Sequence, residues 1–170
     1  MKISKYFMFL FVFCLNLFAS ETSLGKSARI FVVDGDSLFI DNQEIRLSGI
    51  DAPEYKQECF DKNQKSYKCG VMAKKFLEQL VKKGNISCSH LTKDKYKRFV
   101  SVCYSGKTNL NEEMVRQGWA VAYKRYTHAY DEAEKFAQEN KLGIWQGKFM
   151  KPEFFRILKN QKNKKKNKNK

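Results

Sequence analysis

The first part of this chain is built from short runs of strand-forming residues separated by turn-forming dipeptides. Residues 28–33, 37–40 and 43–47 are rich in Ile, Val, Leu and Phe, and Asp34-Gly35 and Asp41-Asn42 separate them. Runs this short, closed by Asp, Asn and Gly, are typical of antiparallel strands joined by tight turns. The pattern argues against a doubly wound sheet, in which a helix follows each strand.

Helical periodicity begins only after this β-rich segment. Residues 54–68 are polar and have no period, so we expect a loop there. A helix is predicted from the end of that loop to about Lys83, because apolar residues recur at helical spacing. Two further helices are predicted, over 110–117 with Asn109 as its cap and over 131–141.

Residues 85–91 and 98–104 supply the last two predicted strands, with a turn at 94–97 between them. Five short strands with helices grouped between and after them favour a small α+β barrel with three helices. Pro152 could begin a short C-terminal helical extension. One domain of this kind suits a chain of 170 residues with 42% hydrophobic content.

The N-terminus has the pattern of an export signal. Lys2 and Lys5 precede an apolar run at 6–18, and the small residue Ala19 follows it. The run is short for a membrane span. We therefore expect residues 1–19 to be a cleaved signal peptide that leaves no stable membrane anchor, and the mature protein to be periplasmic or secreted. An uncleaved anchor is the alternative.

Four of the five cysteines would remain after the signal is removed, and in an exported chain they suggest two disulfides. Cys88 and Cys103 are equidistant from the turn at 94–97, so a hairpin there places them opposite each other. Cys59 and Cys69 would then close a short loop. Four buried free thiols are the alternative, and the cysteine spacing does not match a zinc site.

The chain is strongly basic, with a net charge of +15 from 33 Lys and Arg against 18 Asp and Glu. A charge of this size favours a polyanionic partner: nucleic acid, an acidic glycan or an anionic membrane surface. Residues 159–170 are only Lys, Asn and Gln. We therefore expect a C-terminal extension at 147–158 and a disordered, lysine-rich tail at 159–170.

Acidic residues and arginines are concentrated in three short segments of the chain. They are Asp34, Asp36, Arg46, Asp51, Glu54 and Arg98. Carboxylates that gather in one place repel one another and usually need a hard cation such as Ca²⁺ or Mg²⁺. Guanidinium groups that face them suit a phosphate, because each can grip two oxygens at once. The combination predicts phosphodiester hydrolysis.

Four segments, in this order, resemble the motif series of the staphylococcal nuclease (thermonuclease) family. They are residues 33–37 (VDGDS), 45–54 (IRLSGIDAPE), 94–98 (DKYKR) and 111–120 (NEEMVRQGWA). The resemblance covers roughly residues 28–145. It implies that residues 28–146 form an SNase-like OB-fold nuclease domain, which is a five-stranded β-barrel with three helices.

The resemblance also implies a Ca²⁺ site. Asp36 and Asp51 match the two carboxylate ligands of the family, and the backbone carbonyl of Ala52 matches a third. Asp34 matches an outer carboxylate that holds metal-bound water. Glu54 matches the residue that activates or orients the attacking water.

A substrate site follows from the same resemblance. Arg46 and Arg98 match the pair that grips the scissile phosphate, while Lys95, Tyr96 and Tyr123 match positions around the bound nucleotide. The implied activity is Ca²⁺-dependent hydrolysis of DNA, RNA or both, leaving 3′-phosphate ends, by a protein that we expect to be a monomer.

The rival hypothesis is a non-catalytic OB-fold module that binds nucleic acid or an anionic envelope polymer. The carboxylates argue against it, because they would repel a polyanion unless a cation were bound.

Two positions depart from the family pattern. Ala52 stands where threonine is common, which keeps the carbonyl but removes a hydroxyl that could hold water. Lys97 stands where glycine is usual. If the backbone there needs a positive φ, lysine adds strain.

Overall fold

A computed structural model describes residues 28–168 of the chain. The predicted signal peptide at 1–19 lies outside the described residues. The strands are β1 (Ile30–Val32), β2 (Ser37–Ile40), β3 (Gln43–Leu47), β4 (Ile50–Asp51), β5 (Cys59–Phe60), β6 (Ser66–Tyr67), β7 (Ile86–Lys93), β8 (Phe99–Ser105), β9 (Thr108–Asn109) and β10 (Val121–Ala122). The helices are α1 (Cys69–Val81), α2 (Leu110–Arg116), α3 (Asp131–Glu139), a 3₁₀ helix (Gly143–Gln146) and α4 (Pro152–Lys168).

The main sheet is mixed and has the strand order β1-β2-β3-β8-β7, with β9 paired to β8. The first three strands form the antiparallel meander that their turn signals predict, and β3 pairs with β8 in parallel. Strands β4 and β10 form a separate antiparallel pair. Among the described strands these pairings run as an open path, so the fold is a mixed sheet with four α-helices.

The β7–β8 hairpin confirms the predicted cysteine pairing. Cys88 lies directly opposite Cys103 in the antiparallel register, and the two are joined by a disulfide. The second disulfide joins Cys59 to Cys69. Both disulfides are therefore predicted from the position of the turn at 94–97. Disulfides of this kind are typical of oxidising compartments.

The segment at 54–68, expected to be a loop, contains the short β5–β6 hairpin. Asp61 makes the turn between the two strands, because its Oδ1 accepts hydrogen bonds from the backbone N–H groups of Asn63 at 2.8 Å and Lys65 at 2.9 Å. The strands are two residues each. Such short strands leave no periodic signal in the sequence, and the adjacent disulfide supports them.

The core lies between the main sheet and helices α1 and α2. Its fully buried side chains include Leu38, Ile45, Leu47, Leu77 and Leu110. Burial of each such side chain contributes about 1.5–3 kcal/mol to the free energy of unfolding. Because β2 and β3 send alternate side chains to this core, the intervening residues of the same strands point to the opposite face.

The first three α-helices follow the sequence closely. Helix α2 begins after Asn109, whose side-chain oxygen accepts a hydrogen bond from the backbone N–H of Glu112 at 3.2 Å, as the predicted cap requires. Helix α3 ends at Glu139, slightly before the predicted Lys141, which instead has a φ of 53°.

Helix α4 differs from the prediction for the C-terminus. It begins at Pro152, as expected, but continues to Lys168 through the segment that was predicted to be disordered. Lys and Gln have good helix propensity, and adding residues to an existing helix costs far less than starting one. A composition of Lys, Asn and Gln excludes burial in a core, but this exposed helical segment does not need burial. In the described part of the chain, the helices are too short or too polar to cross a membrane.

A buried asparagine, Asn111, ties helix α2 to the sheet and to the β3–β4 turn. Its amide nitrogen donates to the carbonyl of Ser48 at 2.9 Å and to that of Ser101 at 3.1 Å. Its amide oxygen accepts from the backbone N–H of Cys103 at 3.0 Å. Asn111 thereby satisfies the Ser48 carbonyl and the Cys103 N–H, and it adds a second donor to the Ser101 carbonyl, which also accepts from the Ser48 N–H at 2.8 Å.

We expect Asn111→Leu to lower the free energy of unfolding by about 2 kcal/mol or more, because the buried Cys103 N–H and the part-buried Ser48 carbonyl lose their side-chain partner. Urea unfolding measures this. Asn140→Ala is the matched control, since Asn140 is exposed and donates only to its own helix, and we expect a change of about 0.5 kcal/mol. Similar values for the two variants would contradict the role given to Asn111.

Candidate active site

The acidic residues of the site meet where the β1–β2 turn packs against the end of β4. Gly35 allows this contact, because a Cβ added there would lie 2.7 Å from the Cβ of Ala52 and 2.8 Å from that of Ala73. With the turn in place, Asp36 Oδ2 accepts a hydrogen bond from the backbone N–H of Ala52 at 2.7 Å. Asp36 is 4% exposed and Asp51 is 1% exposed.

Arg46 bridges these two carboxylates. It lies on β3 opposite Ser37 of β2, and its guanidinium forms ion pairs with Asp36 Oδ1 and, at 3.3 Å, with Asp51 Oδ1. Arg46 Nη2, which contacts Asp51, also donates to the carbonyl of Ile50 at 3.2 Å. Burial lowers the pKa of Arg46, and the negative charges of Asp51 and Asp34 oppose that shift. The structure thus brings Asp36, Arg46 and Asp51 together.

Asp34 lies beside this group without joining the ion pairs. Its Oδ1 accepts a hydrogen bond from the backbone N–H of Asp36 at 3.1 Å, which closes the turn. Burial raises the pKa of Asp34, although the charge of Arg46 works in the opposite direction.

Arg98 enters the site from the β7–β8 turn and is oriented by Asp94. Arg98 Nε and Nη2 donate to Asp94 Oδ2 at 2.8 and 2.7 Å. Arg98 Nη1 reaches Ser37 Oγ at 3.5 Å, and that hydroxyl donates to Asp36 Oδ1 at 3.2 Å. A continuous polar chain therefore links Arg98 to Asp36, although the two residues lie on different turns, β7–β8 and β1–β2.

The backbone at Lys97 does have the positive φ that glycine usually supplies at this position of the family. Lys97 has a φ of 68°, so it occupies the left-handed region that glycine adopts without strain. Its N–H donates to the carbonyl of Asp94 at 2.9 Å, and Arg98 N–H donates to Asp94 Oδ1 at 3.0 Å. Lysine is tolerated here because the Asp94 side chain fixes the turn.

Helix α4 contributes a residue that the sequence motifs did not indicate. Arg156 Nη1 donates to Asp51 Oδ1 at 2.8 Å and to Glu54 Oε1 at 3.0 Å, and Nη2 donates to Asp51 Oδ2 at 3.0 Å. Burial lowers the pKa of Arg156, but hydrogen bonds and charges from Asp51 and Glu54 outweigh it and raise the pKa. Glu54 thereby joins the same network as Asp51.

A second residue missed by the motifs, Gln57, shapes the segment that carries Glu54. Gln57 is fully buried, and its side-chain oxygen accepts from the N–H of Glu54 at 3.2 Å. Its amide nitrogen donates to the carbonyl of Met150 at 2.6 Å. Gln57 therefore connects the Glu54 segment to the chain that leads into α4. A buried Gln in a polar stretch gives no sequence signal.

The three residues matched to a nucleotide site lie at two separate places. Lys95 and Tyr96 are on the exposed β7–β8 turn, where the Lys95 ammonium lies 5.0 Å from the Tyr96 ring centroid and Arg98 lies 5.5 Å from it. Tyr123 follows β10, and its hydroxyl lies 3.5 Å from Glu153 of α4. Burial, followed by the charge of Glu153, raises the pKa of Tyr123.

The oxygen atoms of the site are of the kind that bind a hard cation such as Ca²⁺. Within residues 28–168, no three His, Cys, Asp or Glu side chains converge closely enough to hold a metal ion by themselves. Two carboxylates, a backbone carbonyl and water are nonetheless sufficient for Ca²⁺, which accepts irregular oxygen ligand sets. Asp36, Asp51 and Ala52 offer those groups at adjoining positions.

Comparison with known proteins identifies the family of this chain. A family model described as staphylococcal nuclease homologue matches residues 44–147. The chain belongs to this family. An uncharacterised endonuclease of Haemophilus influenzae is 38% identical over 121 residues, which are 67% of this chain and 62% of that protein.

Two further relatives are a protein named for polysaccharide biosynthesis and a nuclease. The succinoglycan biosynthesis protein ExoI of Rhizobium meliloti is 30% identical over 131 residues, covering 75% of this chain and 66% of its own length. A micrococcal nuclease of Shigella flexneri is 32% identical over 138 residues, covering 71% and 72%. The chain thus spans a little under two thirds of the length of the first two relatives.

The residues that match the staphylococcal nuclease family include Arg46, Asp51, Glu54 and Arg98, while helix α4 with Arg156 lies beyond them.

The Asp94–Arg98 contact predicts a pH response. Burial would raise the pKa of Asp94, but hydrogen bonds from Arg98 and the Tyr96 N–H outweigh it and lower the pKa. A lowered pKa in the folded state means that this stabilisation exists above the unfolded value of about 3.9 and is lost as pH falls through the folded value. We expect Arg98→Gln to raise the pKa of Asp94, measured by NMR titration of its carboxyl carbon.

Lys95→Gln is the matched control, because it removes one positive charge from the same turn without removing a hydrogen bond to Asp94. An equal shift in both variants would attribute the lowered pKa to general charge, and no shift in Arg98→Gln would exclude the contact in solution.

Proposed function

We propose that this protein is a Ca²⁺-dependent nuclease that hydrolyses phosphodiester bonds of nucleic acid. The observation that carries the proposal is the convergence of Asp36 and Asp51, almost inaccessible to water, on one guanidinium. Glu54 and Arg98 join the same polar network. Family membership and the endonuclease and nuclease names of two relatives support the assignment.

Asp36, Asp51 and the backbone carbonyl of Ala52 would hold the cation, with Asp34 orienting water at its edge. When bound, Ca²⁺ would polarise a phosphoryl oxygen and offset charge that accumulates in the transition state. The burial of Asp36 and Asp51 makes this stronger, because a charge near them is poorly screened by solvent.

Arg46 and Arg98 would grip the non-bridging oxygens of the scissile phosphate. Asp94 holds the Arg98 guanidinium with two contacts, so little ordering is needed when the substrate binds. Preorganised donors of this type contribute about 2.7–4 kcal/mol each to transition-state stabilisation.

Glu54 would act as the general base, accepting a proton from the attacking water as the oxygen approaches phosphorus. Its side chain is 29% exposed, so water has access to it. Gln57 fixes the backbone from which Glu54 extends. By analogy with the family, the bond to the 5′ oxygen breaks and a 3′-phosphate end remains.

The wider surface would bind the rest of the nucleic acid, DNA or RNA. Lys95 and Tyr96 lie next to Arg98 and would contact a neighbouring phosphate and base, and Tyr123, after β10, would contact another nucleotide. The lysines of α4 between residues 159 and 166 are exposed and would add affinity that falls steeply with salt.

We further propose that the domain closes as the OB barrel of its family and acts as a monomer in the periplasm or outside the cell. The two disulfides and the signal-like N-terminus support export. A module that only binds polyanions would gain nothing from carboxylates at its ligand site, so the catalytic reading is preferred.

The test is nuclease assay of the mature chain on DNA and on RNA, with Ca²⁺ and with chelator. We expect activity only with Ca²⁺. Glu54→Gln should lower it by about 10²–10⁴-fold, because the base is lost, and Arg46→Ala by about 10²–10³-fold or more, because the phosphate loses a donor.

Glu58→Gln is the matched control for Glu54→Gln. Glu58 is exposed and accepts only from Ser66, so its loss should leave activity within about twofold of the parent. Activity in chelator equal to that in Ca²⁺, or equal activity in Glu54→Gln and Glu58→Gln, would reject the assigned site.

A further inference from the structure

Arg156 occupies both oxygens of a carboxylate that the proposed function assigns to the cation. Its two terminal nitrogens contact Asp51 Oδ1 and Oδ2 at 2.8 and 3.0 Å. The Asp51 side chain is 2% exposed, whereas that of Arg156 is 35% exposed. The guanidinium therefore covers the side of Asp51 from which an ion in solution would approach.

A divalent cation and the Arg156 guanidinium cannot share Asp51 in this arrangement. An ion bound to a carboxylate oxygen lies about 2.3–2.6 Å from it, which would place it against the guanidinium nitrogens. Their charges would repel each other at a place where solvent screens poorly. One of the two must leave before the other can bind.

Apart from Arg156, helix α4 makes few buried contacts with the domain, so its first turns can move away from it. Pro152 is buried, but Phe154, Ile157 and Leu158 are 55%, 45% and 45% exposed, and the residues from 159 to 167 are all exposed. Besides the ion pairs of Arg156 with Asp51 and Glu54, the described part of the helix has a pair between Arg125 and Glu153 at 3.2 Å, whose side chains are 66% and 34% exposed. Such surface pairs contribute little.

We propose that Arg156 is an internal competitor for the catalytic cation, and that cation binding at Asp51 releases Arg156 and loosens α4 from the domain. The inference rests on the proposed function. It assigns α4, which lies beyond the residues that match the family, the role of setting how much Ca²⁺ the site requires. Without the cation, Arg156 neutralises the buried carboxylate and holds Glu54.

The consequence can be expressed as a binding constant. The apparent dissociation constant for the cation equals the intrinsic constant divided by the fraction of molecules in which Arg156 is away from Asp51. If Arg156 is on Asp51 in at least about nine molecules in ten, its removal tightens cation binding by about tenfold or more.

Calorimetric titration of Ca²⁺ into the substrate-free mature protein tests this directly. Arg156→Gln should bind Ca²⁺ at least about tenfold more tightly than the parent. Lys159→Gln is the matched control, because it removes the same charge from an exposed residue of the same helix, and it should stay within about twofold. Asp51→Asn should abolish the binding in both backgrounds.

Hydrogen exchange of the unaltered protein supplies a second measurement that does not depend on a variant. Saturating Ca²⁺ should speed exchange in the first turns of α4 by about tenfold or more while slowing it around Asp51. NaCl added at equal ionic strength is the control for a salt effect, and it should leave exchange in α4 unchanged.

The outcomes separate the two proposals. Equal Ca²⁺ affinity in the parent and Arg156→Gln, with binding lost in Asp51→Asn, would overturn the competitor role and leave the nuclease proposal standing. Weaker binding in Arg156→Gln, or unchanged exchange in α4, would also overturn it. No Ca²⁺ binding to any of the proteins would overturn both this inference and the cation in the proposed function.

Discussion

Asp36 and Asp51 are carboxylates placed where water hardly reaches them, and much of the surrounding structure compensates for that burial. An ionised carboxylate removed from water costs several kcal/mol unless opposite charge and hydrogen bonds replace its hydration. Arg46 supplies charge from the sheet, Arg156 supplies it from α4, and the N–H of Ala52 adds a hydrogen bond. Without these arginines the two carboxylates would concentrate negative charge in one place, and such a place attracts a divalent ion.

The sequence was informative wherever structure is decided by neighbours along the chain. The meander β1–β3 follows from turn dipeptides, the Cys88–Cys103 pairing follows from the position of one turn, and the start of α2 follows from Asn109. The carboxylates and arginines found in the motifs do converge in space. What the motifs could not supply was the contact between them, since each arginine might equally have faced solvent.

The two site residues that sequence reasoning missed, Arg156 and Gln57, depend on contacts across long stretches of chain. Arg156 meets Asp51 across 105 residues, and Gln57 meets Met150 across 93. The spacing of residues along the chain does not predict contacts between positions so far apart. Arg156 follows two phenylalanines beyond the family match, and no known motif includes it. The lysine-rich end of α4 was misjudged for another reason. Composition indicates whether a segment can bury a core, but a helix that is already started can continue in water without one.

The central claim is that Asp36 and Asp51 together form a divalent cation site, and crystallography with Ca²⁺ tests it most directly. Crystals of the mature protein grown in saturating Ca²⁺ should give an anomalous peak within about 2.6 Å of oxygens from both carboxylates and from Ala52. A structure at saturating Ca²⁺ with no peak between Asp36 and Asp51, or with the ion bound only elsewhere on the surface, would contradict the account.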